Sequence, residues 1–156
     1  MRRARGFTLI ELAVALAVMA AAVSVAALSL RQSDRRALND ASRTIQADLR
    51  LAQRMAMIEG RRWGVMFDRL ENRYYVYHHL PRTTVKTVDV PNGALIREIS
   101  HTELVYTPRG TASTGFRIWL SKGRYWQRTT ATVSGGRIEI KEIVVSTNGS
   151  KPPEGD

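Results

Sequence analysis

Glu11 is the only charged residue between Arg5 and Arg31. It stands in the stretch "RGFTLIELAVALAVMAAA", which from Phe7 onward is otherwise uncharged and mostly apolar. A carboxylate held in hydrocarbon costs roughly 2.5–3.5 kcal/mol at a helix centre, and less near an end. In a low dielectric an ion pair attracts strongly, whereas either member alone is penalised. The chemistry open to Glu11 is therefore ion pairing, and the apolar run itself supplies no cation.

Little else in the chain points to reaction chemistry. Cysteine is absent, which removes disulfides, thiolate metal sites and thiol nucleophiles together. There is no G-x-S-x-G elbow and no phosphate-binding glycine loop. His78 and His79 are neighbours in a β-type run, so they should face opposite sides and share a metal only awkwardly. His101 is distant in sequence, and exposed histidines are the plain reading of all three. No D-x-D-x-D loop offers a calcium site. Neither a metal nor a cofactor is expected, and the chain does not read as an enzyme.

Charge offers a binding chemistry instead. The net charge is +10, and 20 of the 24 basic residues are arginine. That balance suits nucleic acid, anionic lipid or an acidic protein face, or reflects the arginine usage of a GC-rich genome. Residues 60–156 hold 15 basic and 9 acidic residues, a balance of +6. Within them Lys122, Arg124, Trp126 and Arg128 alternate. In an extended segment they would line one face, with Tyr125 on the other. Cations for phosphates beside an aromatic ring for base stacking make up a nucleic-acid surface, which Arg109 and Arg117 could join. The same pattern equally suits a solvated edge strand with gatekeeping charges.

These residues need elements to hold them. Phe7 to Leu30 gives 24 residues with one charge and no Gly or Pro. As a helix they would extend about 36 Å, enough for a hydrocarbon core about 30 Å thick. Arg2, Arg3 and Arg5 ahead of them predict a cytoplasmic N-terminus, although Arg31, Arg35 and Arg36 weaken the asymmetry. A cleaved signal peptide, with "MAAA" (19–22) or "VAAL" (25–28) as cleavage sites, or a plain anchor would also carry such a segment. Both leave the carboxylate without a role.

The stretch resembles the class III leader of type IV pilins and type II secretion pseudopilins. It has the short basic leader, then Gly6, Phe7 and Glu11 at the head of an apolar helix. The resemblance implies that residues 1–6 are a leader removed by prepilin peptidase between Gly6 and Phe7, and that the new Phe7 amine is methylated. It implies that Glu11 pairs with the N-terminal ammonium of a neighbouring subunit. Many major pilins have a helix-breaking proline where this chain has Leu28, and the departure points to a minor subunit.

With no Gly or Pro before Gly60, the helix is expected to continue to about Glu59. Residues 7–30 form its membrane and assembly half, and 31–59 an amphipathic half. Leu38, Ala41, Ile45, Leu49, Ala52 and Met55 recur at spacings of three and four and mark a buried stripe. Arg36, Asp40, Arg43, Asp48, Arg50 and Arg54 fall largely on the other faces. Residues 60–145 read as a β-rich domain. Its predicted strands are "WGVMFD" (63–68), "RYYVYHH" (73–79), "TVKTVDV" (84–90), "ALIREIS" (94–100), "ELVYT" (103–107), "GFRIWL" (115–120), "YWQRTTATV" (125–133) and "RIEIKEIVV" (137–145). The polar tail 146–156 is expected to be disordered.

The fold class is thus α+β: a long N-terminal helix whose amphipathic half packs on a C-terminal antiparallel sheet domain, a pilin-like arrangement. "LRLAQRMAMIEGRRWGVMF", "LVYTPRGTASTGFRIWL" and "SGGRIEI" resemble the GspH/FimT type of minor pseudopilin. The resemblance implies a single-pass protein of the bacterial inner membrane with its C-terminal domain outside the cytoplasm. Its partners would be prepilin peptidase, other pilins or pseudopilins of one filament, an assembly-platform membrane protein and membrane lipid. DNA joins that list in the alternative reading, a minor pilin of a DNA-uptake pilus.

Overall fold

The computed structural model describes residues 8–133 and 136–146, with side chains throughout except at 25–31. Gly6, Phe7 and all but the first residue of the expected tail therefore lie outside the described residues. One helix, α1, runs from Leu9 to Glu59. The chain divides into two compact units, Met1–Ser33 and Asp34–Asp156.

In the first unit, Thr8 heads the helix. Its carbonyl accepts from the Glu11 and Leu12 amides at 3.1 and 3.2 Å, and its hydroxyl accepts from the Glu11 amide at 3.3 Å. That is the work of an N-cap, which satisfies donors left open by the first turn. Further along, the Ser24 hydroxyl donates to the Ala20 carbonyl at 2.8 Å and so leaves no open polar group. Every side chain from Thr8 to Ser24 is exposed. Among the described residues, no helix is long and apolar enough to cross a membrane.

In the second unit the predicted stripe is buried. Leu38, Ala41, Ile45, Leu49 and Ala52 are fully enclosed, Ala56 joins them, and Met55 packs at the edge. Each large side chain so buried stabilises the fold by about 1.5–3 kcal/mol relative to exposure. Gly60, at φ +64°, ends α1 in the left-handed conformation that glycine adopts without strain.

Among the described residues nine strands follow: β1 Trp63–Asp68, β2 Arg73–His78, β3 Thr83–Asp89, β4 Leu95–Ile99, β5 Glu103–Tyr106, β6 Phe116–Lys122, β7 Tyr125–Ala131, β8 Ile138–Ile140 and β9 Val144–Val145. All eight predicted runs overlap a strand, β6 extends two residues past its run to Lys122, and the last run divides into β8 and β9. The stripe faces two antiparallel sheets rather than one. The first has the order β3-β2-β1-β5; the second has β4-β6-β7-β8, with β9 also pairing β7. Polar anchors from α1 reach both. Asp48 bonds to β2 and β3, and the Ser42 hydroxyl donates to Gln127 Oε1 on β7 at 2.7 Å.

Asn72 ties the sheets together at the β1–β2 turn. Its amide nitrogen donates to the Ala94 carbonyl and its amide oxygen accepts from the Ile96 amide, both at 2.8 Å. Close approach fixes one glycine within β1. A Cβ at Gly64 would collide with the Tyr77 ring, which lies across it on β2.

Asp48 corrects one expectation. It lies 5% exposed on the buried side of α1 rather than on a solvent face. Two donors explain its tolerance there: Tyr74 Oη and Lys86 Nζ, each at 2.6 Å.

Candidate functional site

Glu11 lies in the first turn of α1, where the helix dipole favours a carboxylate. It is exposed, and its neighbours form a broad apolar surface. Leu9 and Ile10 are 87% and 72% exposed, and Leu12, Val14, Leu16, Val18, Met19 and Val23 follow them. Among the described residues no cation pairs with it. A hydrophobic rod displaying one acid near its head has the chemistry of a packing surface with a built-in electrostatic register. Gly6 and Phe7, the expected cleavage pair, lie outside the described residues.

The basic and aromatic candidates are arranged differently from the alternating face expected of an extended segment. Lys122 closes β6 and Tyr125 opens β7, joined by a tight hairpin whose Gly123 has φ +57°. Lys122 therefore stands opposite Tyr125, not in line with Trp126, and its ammonium donates to the Asn92 carbonyl. Trp126 is 1% exposed and meets Trp119 edge-on at 6.4 Å. The Arg128 guanidinium lies over Trp119, 5.4 Å from the ring centre, and that of Arg124 lies 5.8 Å from the Tyr125 ring. Arg117 is exposed on β6, and Arg109 is exposed in the loop before it. Arg109, Arg117 and Arg124 are thus on the surface, Lys122 and Arg128 are half-buried, and the expected stacking ring is enclosed. One face of β7 is buried throughout and the other is covered at Trp126 but half-open at Arg128 and Thr130, which alternation along a strand cannot reveal.

The histidines diverge as expected. His78 Nδ1 faces Glu59 Oε2 and His79 Nδ1 faces Glu103 Oε1, each at 3.6 Å. Trp63 packs on the His78 ring at 4.3 Å and donates to Glu59 at 3.1 Å, so His78 belongs to the end of α1. Among the described residues no cluster of three His, Asp or Glu side chains could hold a metal ion.

Two further residues escaped the sequence reading. Tyr74 and Tyr106 are fully enclosed, and burial raises the phenol pKa of each above its ordinary value. For Tyr74 the hydrogen bond to Asp48 adds to the rise. Only the long-range partner distinguishes Tyr74 from any other strand tyrosine, so no local signal existed.

With this geometry in place, comparison with known proteins is decisive. Residues 1–27 match the prokaryotic N-terminal methylation motif. Residues 41–149 match the model of the type II transport protein GspH. The chain belongs to the GspH family.

The fold agrees. The minor pseudopilin EpsH from the type 2 secretion system of Vibrio cholerae superposes with a TM-score of 0.57 at 16% identity, covering 67% of this chain and 95% of that one. The type IV minor pilin FimU of Pseudomonas aeruginosa gives 0.57 at 15% identity, covering 69% and 90%. A second crystal form of FimU gives 0.54 at 15% identity, covering 67% and 93%. No curated protein matches the sequence significantly. As a GspH-family chain with a pilin-like α+β fold, the protein is a structural subunit and not an enzyme.

Proposed function

We propose that this chain is a minor subunit of a filament built by a type II secretion or type IV pilus-like machine. Prepilin peptidase cuts between Gly6 and Phe7 and the Phe7 amine is methylated, removing three arginines and creating one ammonium. Residues 7–30 hold the subunit in the inner membrane, with the β domain outside the cytoplasm, until the assembly platform draws it into the filament. There Glu11 pairs with the Phe7 ammonium of a neighbour. Two charges that are each unfavourable alone in an apolar bundle stabilise it together and set the register.

The observation that carries this reading is the exposed Glu11 carboxylate on a bare apolar helix, inside a matched methylation motif and ahead of a GspH domain. A Gly6→Val variant, expressed with prepilin peptidase, is expected to keep its leader. Cleavage of that variant at the same bond would refute the processing step.

Contact with DNA ranks second. Its support is the +6 balance of residues 60–156 together with the exposed Arg109 and Arg117. Gel shift of duplex DNA by the full chain in micelles, with steep salt dependence, tests it.

A further inference from the structure

We infer that the solvent-facing stripe of α1 in the second unit docks an acidic helix of a different subunit of the same filament. The inference rests on the filament-subunit reading and names the chemistry of one partner.

Arg36, Arg43 and Arg50 recur at every seventh residue, and Arg54 follows one turn later. At about 100° per residue, all four fall within an arc of about 40°. Ala47, Leu51, Met57 and Ile58 flank them within an arc of about 120°, opposite the buried stripe. All eight residues are exposed. Among the described residues, none of the four guanidinium groups has an acidic partner, whereas Arg73, Lys86 and Arg137 all do. Arg54 does no more than donate to the Arg50 carbonyl at 3.5 Å. The acid on this arc is Asp40. Arg50 and Arg54 are like charges one turn apart and repel, a cost that an incoming anion would remove.

The occupant follows from charge and shape. A second copy brings the same cationic stripe and a net charge of +10, so like meets like. Nucleic acid would use the arginines but gain nothing from Leu51, Met57 and Ile58, which are 39%, 47% and 76% exposed. Mixed apolar and arginine surface is the composition of a protein interface. The seven-residue repeat from Arg36 to Arg50, about 21 Å of helix, matches the spacing of a second helix packed nearly parallel to it.

The test uses the full chain in neutral detergent micelles. It is titrated, with fluorescence anisotropy as readout, against a labelled amphipathic helical peptide bearing Glu at every seventh position beside Leu. The same peptide with Lys for Glu, and a labelled DNA duplex, are titrated in parallel. The acidic peptide is expected to bind. Arg43→Glu with Arg50→Glu should weaken it about tenfold or more at low salt, while Arg43→Lys with Arg50→Lys should stay within about threefold. Ile58→Ser should weaken it without changing the salt dependence, and Arg137→Glu should have no effect.

Equal binding of the lysine peptide, indifference to the charge reversal, or no binding at all would overturn the inference. Duplex DNA bound as tightly and lost by the same reversal would also overturn it, as would self-association abolished by that reversal. Matching thermal melts of the reversed and parent chains guard against misfolding, and Arg43→Gln serves if the double variant melts early. The titration needs neither cleavage nor assembly, so failure of leader processing would refute the filament reading and leave this result standing.

Discussion

The Asp48 carboxylate of α1 lies 2.6 Å from the Lys86 ammonium of β3, and the contact joins the helix to the outermost strand of the first sheet. Asp48 is nearly enclosed, Lys86 is about half exposed, and Tyr74 supplies the second donor. The three residues clamp the helix to β2 and β3. Asp48→Ala should cost about 2–4 kcal/mol, because it leaves the Tyr74 hydroxyl buried and unpaired. Lys86→Ala should cost about 1 kcal/mol, since its ammonium is already partly solvated and Tyr74 still serves Asp48. Urea unfolding of the two variants checks the order; equal losses would contradict the clamp.

Alkaline pH should destabilise the fold through Tyr74 and Tyr106. Both phenols titrate above their ordinary value in the folded chain, chiefly through burial. The folded state therefore keeps protons that the unfolded state releases above about pH 10. Their contribution to stability is complete below that pH and is lost as pH rises toward the folded values, by up to about 1.4 kcal/mol per unit for each tyrosine. Among the described residues Tyr106 Oη is buried without a partner, so Tyr106→Phe should be neutral or stabilising at pH 7 and should flatten the alkaline slope. Thermal melts between pH 8 and about pH 11.5 measure both effects.

Trp126 separates a packing role from a recognition role. A stacking platform could be removed at no cost to the fold. An enclosed ring beside Trp119 cannot, and Trp126→Ala should cost about 3–5 kcal/mol. Denaturant unfolding decides: unchanged stability would restore the ring to the surface and strengthen the DNA reading.

Much of this architecture was legible along the chain. The first glycine after Leu30 stops the helix, and its three-and-four spacing marks the face that packs. Turn residues punctuate the strands at nearly every boundary. What escaped depends on partners distant in sequence. Asp48 sits one position before Leu49, and only Tyr74 and Lys86 explain why it turns inward. Alternation assigns Trp126 to a face of β7 but not whether that face is covered. The split at residues 141–143 was also hidden, because "RIEIKEIVV" is β-prone throughout, yet pairing with β7 is taken up by two short segments. For Glu11 the reverse holds. Its setting was plain from the apolar run alone, because one charge among so many apolar residues is itself the signal.

Assembly tests Glu11 separately from processing. Glu11→Val should be cleaved and methylated normally yet enter filaments poorly, since the ammonium of the neighbour then finds no anion. Shearing filaments from cells and probing for the variant measures this. Normal incorporation would remove Glu11 from the assembly step.

The most direct measurement is the intact mass of the wild-type chain purified from membranes of cells with an active prepilin peptidase. A polypeptide beginning at Phe7 and carrying one added methyl group is the expected result. A mass corresponding to all 156 residues, with Arg2, Arg3 and Arg5 retained in cells that process their other prepilins, would contradict it.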